Sequence, residues 1–190
     1  MSSSAPSDPV IVRRATPADA DALAGVSGRA FSAAYRRVVP DAVLDEWIET
    51  AATNWQKALE DRPPDSPARA WVAERHGAVI GYGTTSPARS NWLAPPAGAG
   101  ELTNLYLDPD VIGTGVGRML YEHAVDDLRQ RGFDPLVVWA LRENSLARGF
   151  YERMGLVIDI AEYHWVLNEV PCPIVRFRRD WPPAQRLHGS

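Results

Sequence analysis

Gly113, Gly115 and Gly117 alternate with other residues in a short stretch that follows one apolar run and opens an amphipathic one. A strand-to-helix turn of this composition can hold an anion. The first N–H groups of a helix have no intrahelical partner, and the helix dipole adds partial positive charge there. Glycine also lets the backbone approach a phosphate with no Cβ in the way. A plain turn that needs positive φ would use the same residues. The spacing narrows the ligand: Gly117 is followed by Arg118 and Met119 rather than by Lys-Ser/Thr, and Arg118 stands where a dinucleotide fingerprint needs its last glycine. A pyrophosphate site of another kind remains. Further along, Ala147, Phe150, Tyr151 and Met154 recur at spacings of three and four, one apolar helix face carrying a phenol. Taken alone, that face reads as core.

The elements that must position these residues follow from periodicity and turn chemistry. Residues 10–12 read as a short strand, and Thr16 as the N-cap of a helix with Pro17 first, Asp19 in its first turn and an end near residue 30. A second helix starts near Asp41 and carries Val43, Leu44, Trp47, Ile48, Ala51 and Trp55 on one face. Three prolines make residues 62–67 a loop. Residues 70–74 and 79–85 form a hairpin turning at His76–Gly77, and 87–100 is a second loop. Leu102, Leu105 and Leu107 lie in a strand stopped by Asp108–Pro109. A helix over 116–131 ends at Gly132, a buried strand covers 136–140, and a helix over 144–154 stops at Gly155. Two strands, 156–166 and 174–178, complete the chain. Hairpin-joined and helix-joined strands together predict a mixed α/β fold, with a twisted mixed sheet of about seven strands flanked by about four helices. One domain is expected over 10–180, with an N-terminal tail over 1–9 and a C-terminal extension over 181–190.

Composition excludes several classes. The formal net charge of -4, without a block of like charges, argues against a general nucleic-acid binder. Cys172 is the single cysteine, so neither an internal disulfide nor a thiolate-rich metal site can form. The four histidines lack metal-ligand spacing, and no metal is expected. The start of the chain lacks the basic and apolar regions of a signal peptide, and the longest apolar run, 136–141, is too short to cross a membrane. A cytoplasmic protein without a membrane partner is the expectation.

The stretch over 101–120 resembles the acetyl-CoA-binding motif of the GNAT N-acetyltransferase superfamily, Arg/Gln-x-x-Gly-x-Gly/Ala between the fourth strand and the third helix. Gly115 and Gly117 match its glycines, and Ile112 replaces its Arg or Gln, which lowers the expected pyrophosphate affinity. Asn144, Ala147, Phe150, Tyr151 and Gly155 resemble the second signature, Asn-x-x-Ala-x-x-Phe-Tyr-x-x-x-Gly-Phe, with Leu156 at the final Phe. Two motifs in the expected order make the resemblance specific over 101–156. It implies the GNAT-type acyltransferase fold with acetyl-CoA as cofactor and CoA as product. The implied cofactor residues are Leu105, Tyr106, Leu107, Ile112, Gly113, Thr114, Gly115, Val116, Gly117, Arg118, Asn144, Ala147 and Phe150.

The resemblance further implies direct attack of a primary amine on the thioester. Tyr151, unperturbed at about 10 against about 8.5 for a thiol, would protonate the leaving thiolate. The Leu107 N–H would hold the carbonyl oxygen where the strand bulges. Glu101, opening that strand, is the candidate base for the amine, directly or through water. Asn144 would bond the pantetheine arm or cap its helix. Phe31, Tyr35, Trp47, Tyr82 and Trp92 would line the acceptor pocket, aromatic enough to hold a cation but equally suited to a core. The acceptor itself, a small molecule or peptide amine, is not specified. Dimers are common in the resembled family, so a homodimer is an expectation. A non-catalytic acyl-CoA-binding module on the same fold is the alternative.

Overall fold

The computed structural model describes residues 9–36, 39–63, 65–89, 93–167 and 170–181. Trp92 and nearly all of the two expected tails lie outside those residues. Seven strands, β1 (Ile11–Arg14), β2 (Arg69–Arg75), β3 (Ala78–Pro87), β4 (Gly100–Leu107), β5 (Leu136–Leu141), β6 (Val157–Leu167) and β7 (Val170–Arg179), form one sheet in the order β1-β2-β3-β4-β5-β7-β6. The four helices are α1 (Ala20–Tyr35), α2 (Asp41–Glu60), α3 (Val116–Gln130) and α4 (Ser145–Arg153). All neighbouring strands run antiparallel except β4 and β5, which meet only at Gly100–Leu136 and Glu101–Val137 and then part. The fold is mixed α/β, as the order of elements requires.

Local chemistry explains most boundaries. His76 and Gly77 both have positive φ, 54° and 76°, the geometry that turns a hairpin in two residues with the right twist. Gly132 and Gly155, at φ 84° and 81°, stop α3 and α4 in left-handed backbone. The first helix differs from expectation at both ends. Residues Pro17–Asp19 form a 3-10 turn, and α1 continues to Tyr35. The extension is tertiary: Phe31 and Tyr35 stack at 4.0 Å, and Phe31 stacks on Trp47 of α2 at 4.1 Å.

The core has two faces. Leu120, Tyr121, Ala124 and Leu128 of α3 pack with Leu102 of β4, Leu136 and Val138 of β5, and Tyr151 of α4 on one side of the sheet. On the other side, Leu23 and Val26 of α1 meet Val72 and Tyr82, while Phe31 and Leu44 meet Leu141, Cys172 and Ile174. Helices α1 and α2 therefore cover one face and α3 and α4 the other, with the β4–β5 opening between them.

Candidate active site

The opening begins with a bulge. The β3–β4 register shifts between Thr84 and Thr85, which pair with Asn104 and Leu102, leaving Thr103 as the extra residue. Before the bulge, Gly100 donates its N–H to Pro135, toward β5, at 2.9 Å. Beyond it, Asp108 donates to Ile80, toward β3, at 3.0 Å. Strand alternation then turns the N–H groups of Leu105 and Leu107 away from β3 and into the gap that β5 has left. The bulge thus sits at Thr103, four residues before the position expected at Leu107, and it re-aims the strand for both leucines.

The glycine turn lies at the mouth of this gap. Gly113 and Gly115 have φ of 83° and 93°, and a Cβ at either would meet nothing within 4 Å. The space beside both glycines is open, so an anion can approach the backbone of the turn there. The first bond into α3 is Met119 N–H to the Gly115 carbonyl, so the N–H groups of Val116, Gly117 and Arg118 precede the intrahelical ladder. Thr114 turns its hydroxyl back to the Val111 carbonyl at 2.7 Å. Gly117 also has a packing role. A Cβ there would sit 3.1 Å from Leu107 Cδ1 and 3.8 Å from Phe150, so this glycine lets α3 approach β4. Ile112 is 40% exposed, and Arg118 pairs with Glu122 at 2.7 Å, one turn along the helix.

Asn144 is the N-cap of α4 and accepts the Ala147 N–H at 3.0 Å. Ala147 and Phe150 pack into the core beneath the turn. Tyr151 is buried between Phe150 and Phe177, with ring centroids 5.4 and 5.5 Å away. Burial pushes its phenol well above the ordinary value, and the hydroxyls of Tyr35 and Tyr121 add to the effect. Tyr106, raised mainly by burial, also feels Tyr151. Tyr35 and Tyr106 belong to the α1–α2 face, whereas α4 lies on the other.

The amine side is built from the opposite face of β4. Leu102 packs toward α3, so Glu101 points to the α1–α2 face. Its carboxylate is 1% exposed as a residue and accepts three bonds from Arg89: the backbone N–H at 3.0 Å, Nε at 3.3 Å and Nη2 at 2.5 Å. Asn104, unremarked in the sequence, donates to the Thr84 hydroxyl at 2.7 Å. Phe31, Tyr35 and Trp47 form an aromatic stack reaching Tyr106, whose ring lies 6.0 Å from Phe31. Tyr82 belongs to the core: it is 1% exposed and its hydroxyl accepts a bond from Ser27 at 2.7 Å. Among the described residues no group of His, Cys, Asp and Glu could hold a metal ion, and no helix is long and apolar enough to cross a membrane.

The model of the acetyltransferase (GNAT) family matches residues 32–156, two thirds of the chain and all of the opening. The chain belongs to the GNAT family. A mycothiol acetyltransferase of Cellulomonas flavigena is 31% identical over 140 residues, 69% of this chain and 40% of its own length. A probable N-acetyltransferase of Mycobacterium tuberculosis is 28% identical over 149 residues, 75% of this chain and 81% of its own. The chain spans less than half the length of the mycothiol acetyltransferases it matches. The PaiA N-acetyltransferase of Thermoplasma acidophilum, in complex with coenzyme A, shares the fold at a TM-score of 0.72 and 16% identity, over 91% of this chain and 99% of its own. In this GNAT domain the two signature stretches stand on either side of the gap. One is the β4–α3 turn, the other the β5–α4 connection.

Proposed function

We propose that the chain transfers the acetyl group of acetyl-CoA to a primary amine of a small molecule or peptide, by direct attack, with Tyr151 as general acid. The observation that carries this reading is the parted β4–β5 pair. Two N–H groups of β4 turn into the gap along one wall, the glycine turn follows that strand with open space beside Gly113 and Gly115, and Tyr151 lies on α4, the helix after β5. Bound acetyl-CoA would supply the activated carbonyl and the thiolate leaving group. The N–H groups before Met119 would hold its pyrophosphate. The Leu105 and Leu107 N–H groups are the donors available to the arm and to the carbonyl oxygen, and loss of such an oxyanion donor typically costs about 100- to 1000-fold in rate.

Burial keeps the Tyr151 phenol protonated across the physiological range, so it can donate to a thiolate but cannot serve as a base. The amine's proton needs another acceptor. Glu101 is the carboxylate on that side of β4, and with Arg89 holding both of its oxygens we assign it contact with the amine through water. The aromatic stack of Phe31, Tyr35 and Trp47 forms the acceptor-side wall.

Tyr151→Phe tests the acid. It keeps the ring packing and removes the proton, so turnover should fall by about 100- to 10,000-fold while KM for acetyl-CoA changes little. Unchanged turnover would take Tyr151 out of the mechanism. Failure of the wild-type chain to release CoA with any of a broad amine panel, despite binding acetyl-CoA, would favour the acyl-CoA-binding module instead.

A further inference from the structure

The bulge in β4 gathers three polar side chains on one face of the sheet. Thr84 of β3 stands opposite Asn104, and Tyr82 stands opposite Tyr106. Thr84 and Asn104 therefore share a face with the two tyrosines that pack against the residues of α1. Thr103, the extra residue of the bulge, turns its hydroxyl to the Thr84 hydroxyl on that face. Glu101 lies on the same face before the bulge, because Leu102 packs toward α3. Strand β4 thus presents Glu101, Asn104 and Tyr106 in turn to the acceptor side.

Counting protons fixes how the Asn104 amide is turned. The Thr84 carbonyl can only accept, so the Thr103 hydroxyl, 3.1 Å away, gives its proton there. The Thr84 hydroxyl then gives its own proton to the Thr103 oxygen. Only lone pairs remain on the Thr84 oxygen for Asn104, so the amide atom 2.7 Å from it is the Nδ2 donor. The Oδ1 end of the amide is left over. It bonds to no described residue and is not closed off from the surface. A held amide with an open oxygen, on a half-buried residue, is a ready hydrogen-bond acceptor.

We propose that Asn104 is an acceptor-binding residue whose Oδ1 takes one N–H of a primary amine. This rests on the acetyl-transfer reading of the site. The N–H of Leu105, the next residue, turns into the gap where the thioester would lie, so Asn104 holds the amine beside the reacting carbonyl. One N–H on Oδ1 and the other directed through water toward Glu101 leave the nitrogen lone pair for the carbonyl carbon. As C–N forms and C–S breaks, the second proton of the amine passes to Glu101 and the thiolate takes its proton from Tyr151. A primary amine has an N–H for each partner. A secondary amine has one for both and must give up a contact, so the site should select primary amines. Thr84 and Thr103 act through Asn104, as positioning residues.

Steady-state kinetics with a panel of primary amines and their N-methyl counterparts tests this, together with calorimetric binding of the same amines to the CoA complex. Asn104→Leu should raise the amine KM and Kd about tenfold, the loss of one hydrogen bond, and leave the KM for acetyl-CoA unchanged. The preference for a primary amine over its N-methyl counterpart should fall by about the same factor in kcat/KM, a change that a packing defect does not produce. Thr84→Val keeps the amide and removes what holds it. It should show the same losses at about threefold, and it serves should the leucine variant fold poorly. Wild-type amine KM and wild-type primary-amine preference in both variants would overturn the proposal and leave acetyl transfer standing. A wild-type chain that acetylates none of the panel would overturn the acetyl-transfer reading, and the role of Asn104 would fall with it.

Discussion

Asp19 ties the first strand to the first helix. Its carboxylate accepts two bonds from Arg13, both at 2.8 Å, and two from Thr16, from the N–H at 2.8 Å and the hydroxyl at 2.9 Å. Arg13 also reaches Glu74 on β2 at 2.8 Å. These donors, Arg13 first, hold the Asp19 carboxyl down at about 2, although burial opposes them. A folded value below the unfolded one means stability that is present above about pH 4 and is lost as pH falls toward 2. Asp19→Asn should therefore cost about 1–2 kcal/mol at pH 7, a figure reduced because Arg13 is partly exposed. The penalty should vanish by about pH 2, and urea unfolding at several pH values measures it. A constant penalty across that range would show that packing, rather than charge, is what Asp19 contributes. The sequence marked Asp19 as a helix-start carboxylate, and the cap with Thr16 agrees. Its pairing with Arg13 was not legible, because it depends on how β1 lies against α1. Glu101 is the same case: its type and place on the strand could be read, while the three bonds from Arg89 come from the loop after β3 folding back.

At the scale of elements, the glycine turn separates two roles that the sequence did not distinguish. Gly115 needs its left-handed φ of 93°, whereas Gly117 is helical and needs only to lack a side chain against Leu107. Gly115→Ala should strain the turn by about 1–2 kcal/mol and weaken acetyl-CoA binding, since the backbone of the turn must shift. Gly117→Val should instead overpack the α3–β4 contact, costing about 1–3 kcal/mol of fold stability with a lower urea midpoint. If Gly117→Val kept wild-type stability and lost only ligand binding, the phosphate rather than Leu107 would be what this glycine accommodates. Elements with local signals were the legible ones: the His76–Gly77 hairpin, the helices ending at Gly132 and Gly155, and the Asn144 cap. The bulge at Thr103 was not, because no residue type demands it there. It comes from the competing registers of β3 on one side of β4 and β5 on the other. The extension of α1 to Tyr35 likewise depends on stacking with Trp47, a residue on another helix.

Across the whole molecule, the weak seam and the proposed ligand site coincide. Strands β1 to β4 and strands β5 to β7 are joined within the sheet only at Gly100–Leu136 and Glu101–Val137. Beyond those pairs, the wall of β4 presents backbone donors to a gap instead of to a neighbouring strand. A molecule running from the glycine turn into that gap would take up those donors and join the two halves, so its binding energy should appear directly as resistance to unfolding. Thermal unfolding with acetyl-CoA, CoA, ATP and NAD in parallel reads this out. Acetyl-CoA and CoA at 100-fold above Kd should add about 2.7 kcal/mol, a rise of roughly 5–10 °C for a domain this size. ATP and NAD carry a pyrophosphate but no pantetheine arm to lie along β4, and should give much smaller shifts. Equal shifts with all four would mean that the turn recognises phosphate while the gap contributes nothing. No shift with acetyl-CoA or CoA would mean that Ile112 has disabled the turn, and the acetyl-transfer reading would then fail with it.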